Sequence, residues 1–174
     1  LNENGMSLGM IFRYGDFSFY TAGDFSDKWK NEDDSLHYIE DDLAEVCPRV
    51  NVAKINHHGH HSMTPKLVAA LQAQVYVSCV WDQLHNTADT MEHIADRSLY
   101  REDRIVCPGI MPEKRRREDA GSPWLEDIPK ASYEGGHMIL DVPKGGKDFT
   151  LTYLTAADES MKVRSVLRFD TRKQ

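Results

Sequence analysis

The chain has 174 residues and a formal net charge of −7, and 40% of its residues are hydrophobic. This length and composition fit one globular domain with a sizeable core. No apolar run approaches the roughly 20 residues that span a bilayer, and the negative charge argues against binding nucleic acid through bulk electrostatics. The opening residues lack an initiator methionine and a signal-peptide pattern, so we expect a cytoplasmic protein whose natural N-terminus lies further upstream.

The hydrophobic pattern of the first 107 residues predicts strands that alternate with helices. In chain order the elements are strands at 6–13 and 17–22, a helix at 31–46, a strand at 50–56, a helix from Pro65 with Thr64 as its N-cap, a strand at 75–80, a helix at 86–100 and a strand at 104–107. The first two strands form a hairpin, and the helix at 31–46 has an acidic outer face. The alternation after residue 50 indicates an α/β fold, in which helices cover a sheet.

The last third of the chain departs from this alternation. Residues 109–136 hold three prolines and a charge run at 114–119, which predict a long loop or an insertion whose basic residues are solvated. Three more strands are predicted at 137–142, 149–154 and 162–169, the last as a solvent-facing edge with lysine and arginine side chains. We find no internal repeat and expect a single domain over residues 1–174.

The three cysteines have no spacing that suggests chemistry. They lie at positions 47, 79 and 107 and match no CxxC or zinc-finger pattern. We therefore expect small buried hydrophobic residues in a reducing compartment rather than a catalytic thiol.

Side chains suited to metal binding or acid–base chemistry follow three of the predicted strands. Asp24 follows the strand at 17–22, four histidines within five positions (57, 58, 60 and 61) follow the strand at 50–56, and His85 follows the strand at 75–80. Because open α/β sheets bind ligands at the carboxyl ends of their strands, we expect Asp24, His57 and His85 to share one edge. The alternatives are a turn or cap aspartate and histidines of a solvated loop.

The members of this set differ in how firmly the strands hold them. His57 comes directly off a strand and is expected to be the best fixed, and Gly59 permits a tight turn. Four neighbouring histidines are not expected to converge on one ion. The other histidines, at 37, 93 and 137, fall inside predicted helices or at the start of a strand, where we expect structural or exposed roles.

The order of these motifs resembles the C-terminal half of the metallo-β-lactamase superfamily. A hairpin ends in TAGD at 21–24, a helix follows, and a strand then leads into AKINHHGHHS at 53–62. The nearest branch carries a Lys-x-x-His-His-Gly-Ser signature and includes the hydrolase domain of DNA-uptake competence proteins. The resemblance covers about residues 2–100. It implies an α/β fold that is half of a four-layer αββα sandwich, with a mixed sheet and flanking helices.

The resemblance also implies roles for individual residues. In that family the aspartate after the hairpin bridges two metal ions, which corresponds to Asp24, and a later histidine is a ligand, which corresponds to His57 with His58 as its rival. The histidine after the next strand lies near the substrate, which corresponds to His85. The implied cofactor is one or two zinc ions, with manganese or iron as alternatives, and the implied catalytic residues are His58 and His85, which orient substrate or donate a proton.

Two departures shape the functional hypotheses. The sequence has no His-x-His-x-Asp-His run, which belongs to the N-terminal half of that family, and His60 stands where the signature has serine. The first hypothesis is therefore the C-terminal half of a metal-dependent hydrolase, inactive by itself, that acts on a small-molecule, phosphodiester or nucleic-acid-like substrate. Its expected partner is the missing N-terminal half or a second copy, without membrane contact. The alternatives are a non-catalytic degenerate scaffold that binds protein or nucleic acid, and, ranked last, a one-metal nuclease.

Overall fold

A computed structural model describes residues 3–26, 28–80, 82 and 85–172. The strands are β1 (Met10–Tyr14), β2 (Phe17–Thr21), β3 (Lys28–Lys30), β4 (Leu36–Tyr38), β5 (Val52–Lys54), β6 (Val75–Ser78), β7 (Ile105–Pro108), β8 (His137–Asp141), β9 (Asp148–Leu154) and β10 (Val163–Asp170). The α-helices are α1 (Ile39–Val46), α2 (Pro65–Leu71), α3 (Ala88–Ala95) and α4 (Glu113–Glu118), with 3-10 turns at Asn4–Met6, Asn56–Gly59, Pro123–Asp127 and Lys130–Ser132.

The strands form two larger sheets and one small hairpin. The five-stranded sheet has the order β1-β2-β5-β6-β7, in which β1 and β2 are antiparallel and the other neighbours are parallel. The three-stranded sheet, in the order β10-β9-β8, is antiparallel, and β3 pairs with β4 alone. Parallel neighbours need a crossover connection, which α2 provides between β5 and β6 and α3 between β6 and β7.

Alternation along the strands divides the core into two apolar layers. The side chains on one face of the five-stranded sheet, such as Tyr20 and Tyr76, pack against α1, α2, α3 and parts of the segment 109–136. Those on the other face, such as Val52 and Val75, pack against β9. Because strand side chains point alternately to opposite faces, one short sheet serves both layers. The α/β class, the mixed sheet and the flanking helices are thus confirmed.

The helix predicted at 31–46 is wrong in its first half. Only Ile39–Val46 is helical, and the preceding residues form the β3–β4 hairpin, which also places His37 on a strand. The reason is turn chemistry: the Asp33 carboxylate accepts hydrogen bonds from Ser35 N–H at 3.0 Å and from Ser35 Oγ at 2.5 Å, and Asp34 has φ 64°. Such side-chain hydrogen bonds compete with a helix for the backbone.

The segment 109–136 is more ordered than predicted, and its basic run is not a solvated loop. Residues Glu113–Glu118 form α4, because pairs four residues apart, such as Lys114 with Glu118 at 3.7 Å, stabilise a helix. Arg115 is largely covered, pairs with Asp119 at 3.2 Å and donates to Asp82 O at 2.9 Å. Further along, the segment buries Trp124 in the helix-side core.

Three smaller predictions have clear outcomes. Thr64 caps α2, since its side chain accepts a hydrogen bond from Leu67 N–H, and β10 is an edge strand as expected. Cys107 is buried and Cys47 half-buried, but Cys79 is exposed, which corrects the expectation for that residue because it follows β6 where the chain leaves the sheet. In the described part of the chain, every helix is too short or too polar to cross a membrane.

Candidate functional site

The predicted site residues lie together at one edge of the five-stranded sheet. The strands β2, β5 and β6 are parallel, so their carboxyl ends meet at the same edge. Asp24 follows β2, the histidine loop (residues 56–64) follows β5, and His85 follows β6. The backbone joins the first two directly, because His57 N–H donates to Gly23 O at 3.1 Å.

Five imidazoles cluster at this edge. The ring centroid of His60 lies 5.4 Å from that of His57, 4.7 Å from that of His61 and 5.4 Å from that of His85. The rings of His58 and His85 lie 5.9 Å apart. His60, the departure from the resembled signature, therefore occupies the middle of the cluster, which its sequence position alone did not indicate.

The histidine loop has an unusual backbone. His57, His58, His61 and Met63 have φ values of 45°, 53°, 46° and 59°, in the left-handed region that residues with a Cβ rarely adopt. Each such residue costs about 1–3 kcal/mol, so the surrounding structure has to hold the loop in place. Backbone strain of this kind clusters at functional sites.

The start of α3 supplies part of that hold. Thr87 N–H donates to Gly59 O at 2.7 Å, and Thr87 Oγ1 accepts from His61 N–H at 3.0 Å. Thr90 Oγ1 accepts from Ser62 N–H at 3.1 Å and donates to Ser62 O at 3.0 Å. Two threonines therefore fasten the second half of the loop.

Gly59 is required by a close approach as well as by its backbone. Its φ is 76°, and a Cβ at this position would lie 2.0 Å from Asn86 Oδ1. Asn86 is fully buried and its side chain donates to Ser78 Oγ at 2.8 Å, so it has little freedom to move aside. A side chain at residue 59 would displace the loop from α3.

His57 is held as a neutral imidazole. The amide Nδ2 of Asn4, which is a donor, lies 3.3 Å from His57 Nε2, and Ser26 Oγ lies 2.6 Å from Nδ1. This arrangement puts the ring proton on Nδ1 and the lone pair on Nε2. Burial lowers the pKa of His57, and neighbouring imidazoles lower it further, against the opposing charge of Asp24. A neutral ring is the form that binds a metal.

The spacing of Asp24 and His58 fits two ligands of one metal ion. Asp24 Oδ1 lies 3.4 Å from His58 Nε2. Two ligand atoms on a tetrahedral zinc ion, with bonds of about 2.0–2.1 Å, lie about 3.3–3.4 Å apart. The donor types and the spacing therefore fit a metal, and the distance favours His58, the rival of His57, as the partner of Asp24. Within the ranges that the structure describes, no group of three His, Cys, Asp or Glu side chains is arranged to hold an ion.

A buried glutamate beneath the loop was missed by the sequence reasoning. Glu40 is 2% exposed and lines a cavity of about 190 Å³ together with Lys28, His57, His60 and others. Burial raises the pKa of the Glu40 carboxyl, although hydrogen bonds oppose the shift. The sequence pattern predicts it on the acidic outer face of a helix, which is wrong because the side chain is buried. Its spacing three residues before Leu43, on the apolar face, is the signal that identifies it.

A second cavity extends the first into a groove. It measures about 480 Å³ and shares Lys28, Tyr38 and His61 with the smaller cavity. Lys66 lies along it and pairs with Asp41 at 3.2 Å. The histidine cluster thus opens onto a groove with room for a small molecule.

The structure thus brings together Asp24, His57, His58 and His85, whose individual roles stay predictions. The other histidines are engaged elsewhere: His37 pairs with Asp42 at 2.8 Å, His93 Nδ1 contacts Met63 O at 3.1 Å, and His137 is exposed. Comparison with known proteins finds no matching protein family, curated protein or solved structure for this chain.

Proposed function

We propose that this chain carries one side of a metal-dependent hydrolase site of the metallo-β-lactamase kind. The observation that carries the proposal is the 3.4 Å spacing of Asp24 Oδ1 and His58 Nε2 at the carboxyl edge of a mixed sheet, inside a cluster of five imidazoles. A carboxylate and imidazoles are ligands that zinc accepts, as do manganese and iron. Asp24 and His58 would hold such a metal, which would supply hydroxide at neutral pH for attack on a phosphoryl or acyl centre.

The chain's own residues have distinct roles in this proposal. Asp24 and His58 hold the ion, and His57, the ligand that the sequence predicts, offers a neutral ring beside them. His85, which contacts Asp82 at 3.0 Å, faces His58 and His60 and is placed to orient substrate or to donate a proton to a leaving group. The groove that Lys28 lines has room for a small phosphodiester, while Lys66 is already paired with Asp41.

The same proposal accounts for an exposed apolar stripe along β1. Met6, Leu8, Met10, Phe12 and Tyr14 alternate along the chain and are 78%, 72%, 42%, 55% and 52% exposed. Among the described strands β1 pairs only with β2, so its other edge is open. We propose that the N-terminal half of such a domain covers this stripe. A catalytic zinc site has three protein ligands, and a segment docked here would add the ligands still needed.

The alternative, a non-catalytic scaffold that binds protein or nucleic acid through the basic run, has less support. Arg115 and Arg117 pair with Asp119 and Glu113 within α4. A helix whose cations are paired in this way offers little net charge to phosphates.

Elemental analysis after exposure to zinc and removal of the excess tests the metal site. We expect the wild-type chain to bind zinc more weakly than a site with three protein ligands does, and Asp24→Ala, His57→Ala and His58→Ala each to weaken binding further, by at least the roughly 10- to 100-fold that loss of an outer-shell residue causes. His137→Ala, which removes an exposed histidine on β8, is the control and should change nothing. Equal zinc in all five proteins, or none in the wild type and in a version extended upstream, contradicts the proposal.

A further inference from the structure

Glu40 joins the two ends of the histidine loop. Its Oε1 accepts a hydrogen bond from Asn56 Nδ2 at 2.7 Å, and its Oε2 accepts one from Thr64 N–H at 2.8 Å. Asn56 immediately precedes His57, and Thr64 follows the last strained residue of the loop. One carboxylate thus contacts the loop on both sides of all four histidines.

Further buried contacts close the base of the loop around this carboxylate. Asn56 Nδ2 also donates to Tyr20 OH at 3.0 Å, and Ser62 Oγ donates to Asn56 O at 2.7 Å. The Tyr20 and Asn56 side chains are fully buried. A buried carboxylate persists only where hydrogen bonds offset its lost hydration, so these contacts have to be well formed.

Stabilisation of α1 does not explain the position of Glu40. Acidic side chains in the first turn of a helix interact favourably with its dipole, and Asp41 and Asp42 already provide two of them. The Glu40 side chain instead points away from solvent, and both of its oxygens accept hydrogen bonds from the loop. Its geometry therefore relates to the histidines rather than to its own helix.

We propose that Glu40 is a positioning residue that holds the histidine loop in its left-handed conformation and so directs His57 and His58 toward Asp24. The consequence for metal binding rests on the proposed function. The mechanical role does not, because it concerns the hydrogen bonds that join Glu40 to the two ends of the loop. Removing Glu40 lets the loop relax toward ordinary backbone angles and separates the imidazoles from the aspartate.

Amide hydrogen exchange in metal-free protein tests the positioning role directly. Glu40→Gln keeps the volume and removes the charge, so the hydrogen bonds at position 40 to Asn56 Nδ2 and Thr64 N–H are no longer strengthened by a carboxylate. We expect the amides of residues 57–63 to exchange about 10- to 100-fold faster, as expected for a lost bond to a charged group, while the amides of β6 keep their protection. Glu45→Gln, on the exposed side of the same helix, is the matched control and should leave the loop unchanged. Unchanged loop exchange in Glu40→Gln overturns the proposal.

A reciprocal exchange separates positioning from general stability. In the double variant Glu40→Gln with Asn56→Asp, the new amide at position 40 donates to the new carboxylate at position 56. We expect each single variant to lose loop protection and the double variant to recover most of it, a coupling that unrelated losses do not show. Additive losses in the double variant contradict the proposal.

Zinc titration of the same variants links the loop to the metal. We expect affinity to fall about tenfold or more in Glu40→Gln, as for a residue that orients a ligand, and to recover in the double variant. If the exchange results hold but the wild type binds no zinc, the positioning role stands and the proposed function fails. If zinc binds equally to the wild type and Glu40→Gln, Glu40 does not position the ligands and the proposed function survives.

Discussion

The two faces of the five-stranded sheet differ in how well they are covered at the edge strand β1. On the helix side the half-buried Ile11 packs against the core, whereas Arg13 on the same face is exposed. On the opposite side the three-stranded sheet covers β2, β5, β6 and β7, whereas Phe12 and Tyr14 remain more than half exposed. The helix-side face of β1 therefore exposes a charged residue, whereas the opposite face exposes two aromatic rings.

The edge strand β10 shows how this protein treats an edge that faces water. Its outward positions include Arg164 and Arg168, and charged side chains of this kind block pairing with another strand. In β1 the corresponding protection is a single residue, Arg13. The difference supports our proposal that a further segment of the domain covers β1, while β10 stays an edge.

A matched pair of phenylalanines gives the largest expected effect. Phe149 is fully buried between the sheets and lies 5.2 Å from Phe17, centroid to centroid, whereas Phe12 on β1 is 55% exposed. We expect Phe149→Ala to lower the free energy of unfolding by about 3–5 kcal/mol. Phe12→Ala should change it by no more than about 0.5 kcal/mol at concentrations low enough for the chain to be monomeric. Urea denaturation measures both, and similar losses would mean that the stripe is already covered.

Charge placed in the stripe should act on association. Burying one phenylalanine contributes about 1.5–3 kcal/mol, and we expect the chain alone to associate through this surface. Phe12→Lys should shift it to monomer in light scattering, and Val166→Lys, at the 40% exposed residue of β10, should not. A wild-type chain that is monomeric at every concentration refutes this role of the stripe.

The smallest effect is a difference in pH dependence between a buried and a surface glutamate. Burial raises the pKa of Glu40 above its ordinary 4.5, so the native state holds the proton longer and stability falls as pH rises from 4.5 through the raised value. The hydrogen bond from Arg49 lowers the pKa of Glu102, so that stability is present above 4.5 and is lost as pH falls through the lowered value. The second effect stays below about 1 kcal/mol because the pair is exposed.

Gln substitutions at positions 40 and 102 measure these two opposite effects of pH on stability separately. Glu40→Gln should remove the decline above 4.5, and Glu102→Gln should remove the loss below it, in unfolding curves recorded from acid to neutral pH. If the free energy of unfolding changes with pH equally in the wild type and in both variants, these effects do not come from Glu40 and Glu102.

The alternation of strands and helices after residue 50 was predictable because hydrophobic periodicity follows burial, and burial on both faces of a parallel sheet leaves a strong pattern. The β3–β4 hairpin, which replaces the first half of the helix predicted at 31–46, was not predictable. There a local turn at Asp33 and Asp34 outweighs a weak helical periodicity of the hydrophobic residues. Glu40 was missed because a charged residue is read as exposed until the partner that buries it is known, and that partner lies 16 residues away.

The candidate site shows the same division. The meeting of Asp24, His57 and His85 was predictable, because each follows a parallel strand and the carboxyl ends of parallel strands lie at one edge of the sheet. The choice between His57 and His58 depends on left-handed backbone angles that no sequence pattern prescribes. The contact of Asp24 with His58 joins two loops, and its distance follows from the way Glu40 and α3 hold the second loop.

Anomalous diffraction at the zinc edge, from crystals grown with zinc, shows whether Asp24 and His58 bind one ion. We expect a peak about 2.0–2.2 Å from both Asp24 Oδ1 and His58 Nε2. A map with no peak between these atoms, or with zinc only at surface pairs such as His37 and Asp42, would contradict it.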